Sequence, residues 1–565
     1  MGIARSSSMM GKITIFFVIC CLVMGSFVVN TAVALDGSGT QEDPWLIQSL
    51  DDFNDFAADA NYWDDYTRLE TDVNLAGRTY TTAVIALDTD NTNYTFEGTS
   101  FSGIFDGAGH RVNNLTIDDG GVGNDYLGLF GYTENGQIEN LVLENVVIIT
   151  GDNSHRVGGL VGNNDTTAVT NCHLIGEIGT GRYSGRIGGL IGRNIDGEIV
   201  GCHTEHDINV ETNNFEIGGL IGGNVGGLIS NCYTTGAVSG NGKTYELGGL
   251  IGRCNDGTIT DCYTTGNVNG YGQLGGLVGH NVDNIVTNCY ATGTLTGGDY
   301  GIVGGLIGEN AYAQINNCYA VGEIIGEHYS YGLGGLIGYN NGSAGGGTVM
   351  NCFAIGTVTG GDFSEYLGGL IGDNVYATTI NSYATGAVIS GDSSGLIGGL
   401  VGENHYSNIN DCYTKASVVS GDNSDSIGGL VGYNSYSINR EIGVIRNCYA
   451  IGEVLVGNNS QNLGGFAGYS NNIEHINGVW NIETSGLDDG VGNLEPDPNG
   501  IEGKTSSEMK QQSTFSNWDF INVWNIGENQ TYPYLRTASA GDINKDHITN
   551  FLDLNILCNQ WMQEQ

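Results

Sequence analysis

The chain has little positive charge. Only 18 of its 565 residues are lysine or arginine, against 62 aspartates and glutamates, which gives a formal net charge of −44. A surface of that sign repels phosphate backbones and anionic lipids, so nucleic acid and acidic membranes are excluded as expected partners. Low charge content and 95 glycines are typical of flexible chains, but apolar residues reach 40% and recur in a strict period. That pattern predicts an ordered glycine-rich solenoid.

Several catalytic motifs are also missing. The sequence contains no His-Glu-x-x-His, no Cys-x-x-Cys metal motif, no phosphate-binding glycine loop and no recognisable nucleophilic triad. These absences argue against a zinc peptidase and against nucleotide chemistry. A lyase acting on acidic polysaccharide would need a basic groove, which the charge balance also disfavours.

What the sequence does contain is one unit of about thirty residues, repeated eleven times. Each copy carries Gly-Gly-Leu or, in the last copy, Gly-Gly-Phe. Repetition at this period predicts a solenoid, in which neighbouring units bury their apolar faces together. The first glycines of the copies are Gly158, Gly188, Gly218, Gly248, Gly275, Gly304, Gly334, Gly368, Gly398, Gly428 and Gly464.

The unit predicts an all-β right-handed parallel β-helix. Residues 217–240 offer three short strands, around Leu220-Ile221, Leu228-Ile229 and Cys232 to Val238, bounded by glycine and asparagine turns. None of them has helical periodicity. With a degenerate copy at 127–131, about twelve coils would form a rod on the order of 55 Å long.

Three ranks of the repeat predict ladders along the rod. Stacked strands sit about 4.8 Å apart with parallel Cβ vectors, a poor fit to a disulfide, so the cysteine rank is expected to hold buried free thiols. Alternation then turns a tyrosine rank outward, headed by His173 and His203, and an asparagine rank is expected to stack its amides at a left-handed corner. The cysteine rank is Cys172, Cys202, Cys232, Cys262, Cys289, Cys318, Cys352, Cys412 and Cys448, with Ser382 in the missing place. The tyrosine rank continues as Tyr233, Tyr263, Tyr290, Tyr319, Phe353, Tyr383, Tyr413 and Tyr449. The asparagine rank is Asn164, Asn194, Asn224, Asn281, Asn310, Asn340, Asn374, Asn404 and Asn434, broken by Cys254 and Ser470.

The flanks predict five segments. Residues 1–34 are typical of a removed signal peptide, which predicts a secreted or cell-surface protein that has no membrane segment after cleavage and a net charge of −46. Residues 35–126 are expected to form an N-terminal cap, 127–480 the solenoid and 481–538 a C-terminal cap. A helix N-capped by Ser49 and a short helix over 506–512 are expected within the caps.

The last segment, 539–565, predicts a calcium loop. Oxygen ligands recur at loop positions 1, 3, 5, 7, 9 and 12, which is the spacing of an EF-hand. His547 stands where glycine usually makes the sharp turn, and an acidic segment that binds no ion is the alternative. The expected Ca²⁺ ligands are Asp542, Asn544, Asp546, the carbonyl of Ile548, Asn550 and Asp553.

On these residues the chain resembles two known families. Gly-Gly-Leu-Val-Gly at 158–162 and its ten successors resemble the GLUG-motif family, which implies an extracellular β-helix of surface or adhesin-like proteins. The tail, Gly541-Asp542-Ile543-Asn544-Lys545-Asp546 with Asn550-Phe551-Leu552-Asp553-Leu554, resembles half of a type I dockerin. That second resemblance implies a cohesin-like partner, although dockerins normally carry two such loops.

The most irregular coils hold the candidate site. His173 above His203, beside Glu205 and Asp207, could bind a divalent metal or perform acid/base catalysis. The alternative is divergence at the end of a stack. We therefore expect a non-catalytic exported solenoid that binds glycan or a cell-surface component, with a Ca²⁺-dependent attachment tail. The alternative hypothesis is a polysaccharide-degrading enzyme, a lyase or glycoside hydrolase, that carries the dockerin-like tail.

Overall fold

The structure is a computed structural model that describes residues 35–343, 346–435 and 443–536. The predicted signal peptide lies outside the described residues. The predicted Ca²⁺ loop, from Asp542 to Asp553, lies outside them as well. Within the described ranges, no helix is long and apolar enough to cross a membrane.

The repeat folds as the predicted right-handed parallel β-helix of about twelve coils. Strands of successive coils pair in register, as Ile221 pairs with Ile251 and Ile251 with Val278. Each coil, however, has four sides where the sequence predicts three. In the coil that begins at residue 215 they are Phe215–Gly218 (first sheet), Ile221–Val225 (second sheet), Leu228–Ser230 (third sheet), and Tyr233–Thr234 with Val238–Gly240 (fourth sheet).

The four sheets run the length of the rod. The first sheet contains the strands His155–Gly158, Gly185–Gly188, Phe215–Gly218, Tyr245–Gly248, Gln273–Gly275, Ile302–Gly304, Tyr331–Gly334, Glu365–Gly368, Gly395–Gly398, Asp425–Gly428 and Gln461–Gly464. The second contains Phe130–Glu134, Val161–Asp165, Ile191–Ile195, Ile221–Val225, Ile251–Asn255, Val278–Val282, Ile307–Ala311, Ile337–Asn341, Ile371–Val375, Val401–His405, Val431–Ser435 and Ala467–Asn471. The third contains Trp45–Ile47, Tyr66–Leu69, Ile104–Asp106, Gln137–Glu139, Ala168–Thr170, Ile199–Val200, Leu228–Ser230, Thr258–Thr260, Ile285–Thr287, Gln314–Asn316, Thr348–Met350, Thr378–Ile380, Asn408–Asn410, Gly443–Arg446 and Ile473–Ile476. The fourth contains Val73–Asn74, Arg111–Asn113, Thr116–Asp118, Val142–Thr150, His173–Thr180, His203–Thr204, Ile208–Val210, Tyr233–Thr234, Val238–Gly240, Tyr263–Thr264, Val268–Gly270, Tyr290–Ala291, Leu295–Gly297, Tyr319–Val321, Ile324–Gly326, Phe353–Gly360, Tyr383–Ser390, Tyr413–Thr414, Ser417–Val419, Tyr449–Ala450, Val454–Leu455, Gly478–Asn481 and Ile501–Lys504.

The Gly-Gly-Leu motif forms the corner between the first and second sheets. A Cβ placed on Gly218 would lie 2.0 Å from the carbonyl oxygen of Ile221, and one on Gly219 would lie 2.1 Å from that of Gly249. Neither distance is possible for real atoms, so side chains are excluded from both places. Leu220 follows and is completely buried in the core. The motif therefore repeats because the corner needs two bare backbones and one apolar side chain.

The cysteine ladder is confirmed. All nine predicted members are buried and unpaired, and Cys254 is a tenth free thiol. Thiols of the cysteine rank hydrogen-bond to backbone. Cys232 Sγ donates to the Ser230 carbonyl at 3.2 Å, and Cys202 Sγ accepts from the Cys172 N–H at 3.5 Å. Ser382 replaces a cysteine with the same role, because its hydroxyl accepts from the Cys352 N–H at 3.1 Å. These cysteines are small buried polar residues of the core.

The asparagine ladder is confirmed as a hydrogen-bonded stack. Asn310 Nδ2 donates to Asn340 Oδ1 and Asn340 Nδ2 to Asn374 Oδ1, each at 2.8 Å, and all three side chains are fully buried. The expected left-handed backbone lies elsewhere. It falls on other corner ranks, including the residue just before each cysteine, such as Asn317 with φ 53°.

The N-terminal residues extend the rod. Ser49 caps the helix Leu50–Ala58 as predicted, since its side chain accepts a hydrogen bond from the Asp52 N–H. Phe53 and Phe56 of that helix are completely buried against the core. A 3₁₀ turn, Ala60–Tyr62, follows the helix. The next strands pair in parallel with the first regular coil, so residues 35–126 both cap the solenoid and begin it.

The C-terminal residues contact two parts of the rod, and Val491 and Ile501 among them are buried in the main core. They contain the helix Ile482–Ser485, the 3₁₀ turns Glu508–Lys510 and Gln512–Phe515 where one helix was expected, and an antiparallel pair, Trp524–Asn525 with Tyr534–Leu535. Their aromatic residues do not enter the core. They form a second hydrophobic cluster with the outer tyrosine rank, so this segment covers a side of the rod.

Candidate functional site

Two histidines begin consecutive strands of the fourth sheet and stack on each other. His173 and His203 are register partners, with ring centroids 3.9 Å apart and ring planes 27° from parallel. Tyr233 continues the stack below His203 at 4.5 Å. The predicted alignment of the two histidines at the head of the tyrosine rank is therefore confirmed.

Glu205 brings a third donor to the histidine pair. Its Oε1 lies 3.9 Å from His173 Nε2, and one donor atom from each of the three side chains lies within 4.8 Å of the others. His173 Nε2 is buried and has no hydrogen-bond partner. The Glu205 side chain is 46% exposed, so the group faces solvent on one side. Among the residues described here, it is the one place where three such donors converge.

Burial keeps both imidazoles neutral. It lowers the pKa of His173, an effect that the Glu205 carboxylate partly opposes. Burial also lowers the pKa of His203 to about 4, and the neighbouring His173 contributes in the same direction. At neutral pH each ring therefore has a free nitrogen lone pair, the form in which histidine binds metals.

The structure places the other predicted residues differently. Asp207 Oδ1 accepts the Ala237 N–H at 2.8 Å and so ties two coils together. His206, which replaces a glycine of the repeat, turns inward. It is 5% exposed, its two ring nitrogens have no hydrogen-bond partner, and its ring lies against Gly189. Glu177, Glu205 and Asp207 line one shallow, open depression beside the histidine pair.

Arg186 and Arg193 belong to the same part of the sequence, but they lie on the first and second sheets, whereas the histidine pair lies on the fourth. Arg186 Nε is 3.0 Å from Glu216 Oε2, where the first and second sheets meet. We call the side of the rod along this junction the groove. Farther along the groove Glu246 lies 2.7 Å from Arg253 and 3.0 Å from His280. Most of these charges are paired, so the groove is internally neutralised over this stretch.

Sequence reasoning missed a pair of buried acids at the far end of the same groove. Asp373 and Glu403 are register partners on adjacent coils. Burial raises the pKa of Asp373 well above its usual range, and Glu403 adds to the effect. Burial raises the pKa of Glu403 to about 7, with Glu365 contributing. Both acids sit in the rank of Arg193 and Tyr339, where residue type varies freely from coil to coil, and so no repeat signal marks them.

The tyrosine rank is a continuous stack of rings that point away from the core. From Tyr233 to Tyr449 neighbouring centroids lie 4.8–5.1 Å apart with nearly parallel planes. The first three rings are half-buried, whereas the last five are buried. Tyr449 donates its hydroxyl hydrogen to the Pro533 carbonyl at 2.6 Å. Every inner ring has both faces occupied by neighbours, so this rank offers ring edges and no stacking platform.

A second aromatic row is exposed, and the sequence analysis did not identify it. Tyr300, Tyr329 and Phe363 stack in three consecutive coils, with centroids 5.5 and 5.0 Å apart. They are 60, 45 and 48% exposed. They occupy the turn between the fourth and first sheets, where each has a left-handed backbone near φ 60°. The signal that could have revealed them is their shared place two residues before the first sheet.

Comparison with known proteins supports the repeat assignment. The family model described as the GLUG motif matches residues 153–179, 270–296, 299–325 and 423–455. Halomucin of Haloquadratum walsbyi (strain DSM 16790 / HBSQ001) is 31% identical over 165 residues, which are 24% of this chain and 2% of halomucin. The chain thus matches a very small part of that relative.

A solved structure, that of a putative immunoglobulin A1 protease from Bacteroides ovatus, is similar over 89% of this chain and 94% of its own, at 16% identity. Its TM-score of 0.18 is too low to support any argument about fold or function. The comparisons therefore identify GLUG-motif repeats in four segments of the parallel β-helix.

Proposed function

We propose that the protein is a non-catalytic repeat scaffold at the cell surface or in the extracellular medium, and that it contacts glycan or another cell-surface component. The GLUG repeats, the strong negative charge and the similarity to halomucin support this proposal. A net charge this far from zero keeps a long rod soluble and apart from its own copies.

The observation that carries the proposal is the exposed aromatic row of Tyr300, Tyr329 and Phe363. Three large rings in one stripe, each about half exposed, form the kind of apolar surface that marks an interaction site. Aromatic rings give a large contact area at a small cost in side-chain entropy, and tyrosine adds a hydroxyl for a polar partner. The tyrosine rank of the fourth sheet is less suited to this role because its last five rings are buried.

A binding screen on glycan arrays and on whole cells tests the proposal. We expect the triple variant Tyr300→Ser, Tyr329→Ser, Phe363→Ser to lose at least tenfold in affinity. The variant should still fold, because serine already stands at this rank as Ser393. The matched control is Tyr376→Ser with Tyr406→Ser, a stacked pair 4.7 Å apart on another edge of the rod. Equal binding by both variants would refute the assignment of this row.

The attachment tail and the enzyme alternative stay predictions from the sequence. The Ca²⁺ loop and its cohesin-like partner concern residues after 538. Polysaccharide cleavage would use the open depression lined by Glu177, Glu205 and Asp207, but Asp207 is already engaged with the Ala237 N–H. The scaffold function is therefore the better supported of the two.

A further inference from the structure

We propose that His173, His203 and Glu205 form a binding site for one divalent first-row transition metal ion, with Zn²⁺ as the expected occupant. This proposal is independent of the aromatic row and of the proposed function. It concerns the N-terminal end of the rod, where histidine replaces the tyrosine of later coils.

The three donor atoms lie near the spacing that a bound ion requires. Zinc binds histidine nitrogen at about 2.0–2.1 Å and carboxylate oxygen at about 2.0–2.2 Å, so two donors on a tetrahedral ion lie about 3.3 Å apart. The centroids of the two stacked rings are 3.9 Å apart, and the three donor atoms lie within 4.8 Å of one another. Rotation of the side chains would have to bring the three donors closer together on a common ion.

One ring nitrogen of the histidine pair is buried without a hydrogen-bond partner. Buried polar atoms in folded proteins are nearly always hydrogen-bonded, and an exception needs an explanation. His173 Nε2 is such an exception, and it lies 3.9 Å from Glu205 Oε1, which is too long for a hydrogen bond. A metal ion between the two groups would satisfy both of them.

The three donors favour some metal ions over others. Two imidazoles and one carboxylate suit zinc and its neighbours, whereas Ca²⁺ and Mg²⁺ prefer oxygen ligands alone. Three protein donors also leave a coordination position for water on the exposed side of Glu205. Other histidines, such as His110 beside Asp72 and His328 beside Asp362, each meet a single carboxylate. They provide two donors and are expected to bind metal far more weakly.

Metal titration of the full chain, freed of metal by chelator and dialysis, tests the proposal. Zn²⁺ affinity and stoichiometry are measured by calorimetry and by elemental analysis. His203→Tyr restores the residue of the following coils and preserves the stack, so it should fold. We expect it to lose one bound Zn²⁺, or at least tenfold in affinity at that site. His328→Ala, at an exposed histidine, is the control and should bind as the parent does.

A second variant covers any misfolding of the first. Glu205→Thr introduces the residue that Thr235 and Thr265 provide at the same rank, and it should weaken Zn²⁺ binding while both rings remain. Addition of Ca²⁺ should not compete for the site. If both variants keep the parent's Zn²⁺ stoichiometry and affinity, the proposal is wrong. If the parent itself binds no more Zn²⁺ than His203→Tyr, it is equally wrong.

Discussion

Cys254 interrupts the asparagine ladder, and Asn284 of the next coil compensates for it. Asn224 Nδ2 donates to Cys254 Sγ at 3.2 Å, but a thiol cannot pass an amide N–H on to Asn281. Asn284 does so instead, since its Nδ2 donates to Asn281 Oδ1 at 2.7 Å and to the Cys254 carbonyl at 2.8 Å. We therefore predict that Asn284→Ala destabilises the protein although alanine fits the site. Ala313 holds the equivalent place one coil later and is fully buried.

The magnitude follows from the groups left without partners. Removing the Asn284 amide deprives Asn281 Oδ1 and the Cys254 carbonyl of a donor, and it deprives the buried Gly257 N–H of its acceptor. A buried polar group without a partner costs about 1–3 kcal/mol. Allowing for local relaxation, we expect a loss of roughly 2–5 kcal/mol in the free energy of unfolding.

Urea unfolding followed by circular dichroism measures this loss, and Cys254→Asn provides the decisive comparison. In the Asn284→Ala background it recreates the ordinary pattern of Asn310 with Ala313, so most of the lost stability should return. In the parent, the same substitution places a second amide beside Asn284 and should not stabilise. Asn317→Gly is the control. It removes a half-buried amide from an outer rank that already contains Gly201, and should cost about 1 kcal/mol or less. If Cys254→Asn restores no stability to Asn284→Ala, the compensation by Asn284 is refuted.

Two further predictions concern the ends of the groove and of the tyrosine rank. Glu403→Gln should stabilise the protein by up to about 3 kcal/mol at pH 8 and by little at pH 4. Because its folded pKa of about 7 is raised, native protein binds more protons than unfolded protein between pH 4.5 and 7, so stability falls as pH rises through that range. Thermal unfolding at the two pH values checks this, and an equal effect at both would contradict it. Tyr449→Phe should loosen the C-terminal segment by about 1–2 kcal/mol, because it leaves the Pro533 carbonyl without its donor. Fluorescence of Trp518 and Trp524 in urea measures the change, with the exposed Tyr312→Phe as the control expected to change little.

The sequence predicted those parts of the fold that repeat identically. Asparagine and cysteine recur at fixed places because each hydrogen-bonds to its counterpart one coil away. Since one coil is about thirty residues long, these contacts are visible in the sequence as a period of that length. The strands of the first sheet were not predicted, although each ends at the first glycine of the repeat. These strands place a left-handed residue, such as Glu216 with φ 56°, between half-buried and buried positions. The alternation that marks a strand is therefore broken within four residues.

Contacts between distant segments could not be predicted in the same way. The outward direction of the tyrosine rank follows from alternation, but the burial of Tyr449 depends on Trp524 and Pro533, which lie in a segment without repeats. The histidine site shows the same limit. The period aligned His173 with His203, whereas the inward turn of His206 depends on the bare backbone at Gly189, on a different sheet.

Breaks in a ladder are therefore of two kinds, and the difference separates structural repair from function. Where Cys254 replaces asparagine, a nearby side chain has changed to satisfy the exposed groups, which is expected when the only requirement is a stable stack. Where His173 and His203 replace tyrosine, the stack continues, yet a buried ring nitrogen stays unpaired beside a carboxylate. If the histidines served only the stack, tyrosine would have been sufficient at both positions. Alternatively, a nearby side chain could have changed to pair the ring nitrogen, as Asn284 does beside Cys254. An uncompensated break, at a place where the chain had a simple alternative, is most economically explained by a ligand that completes it.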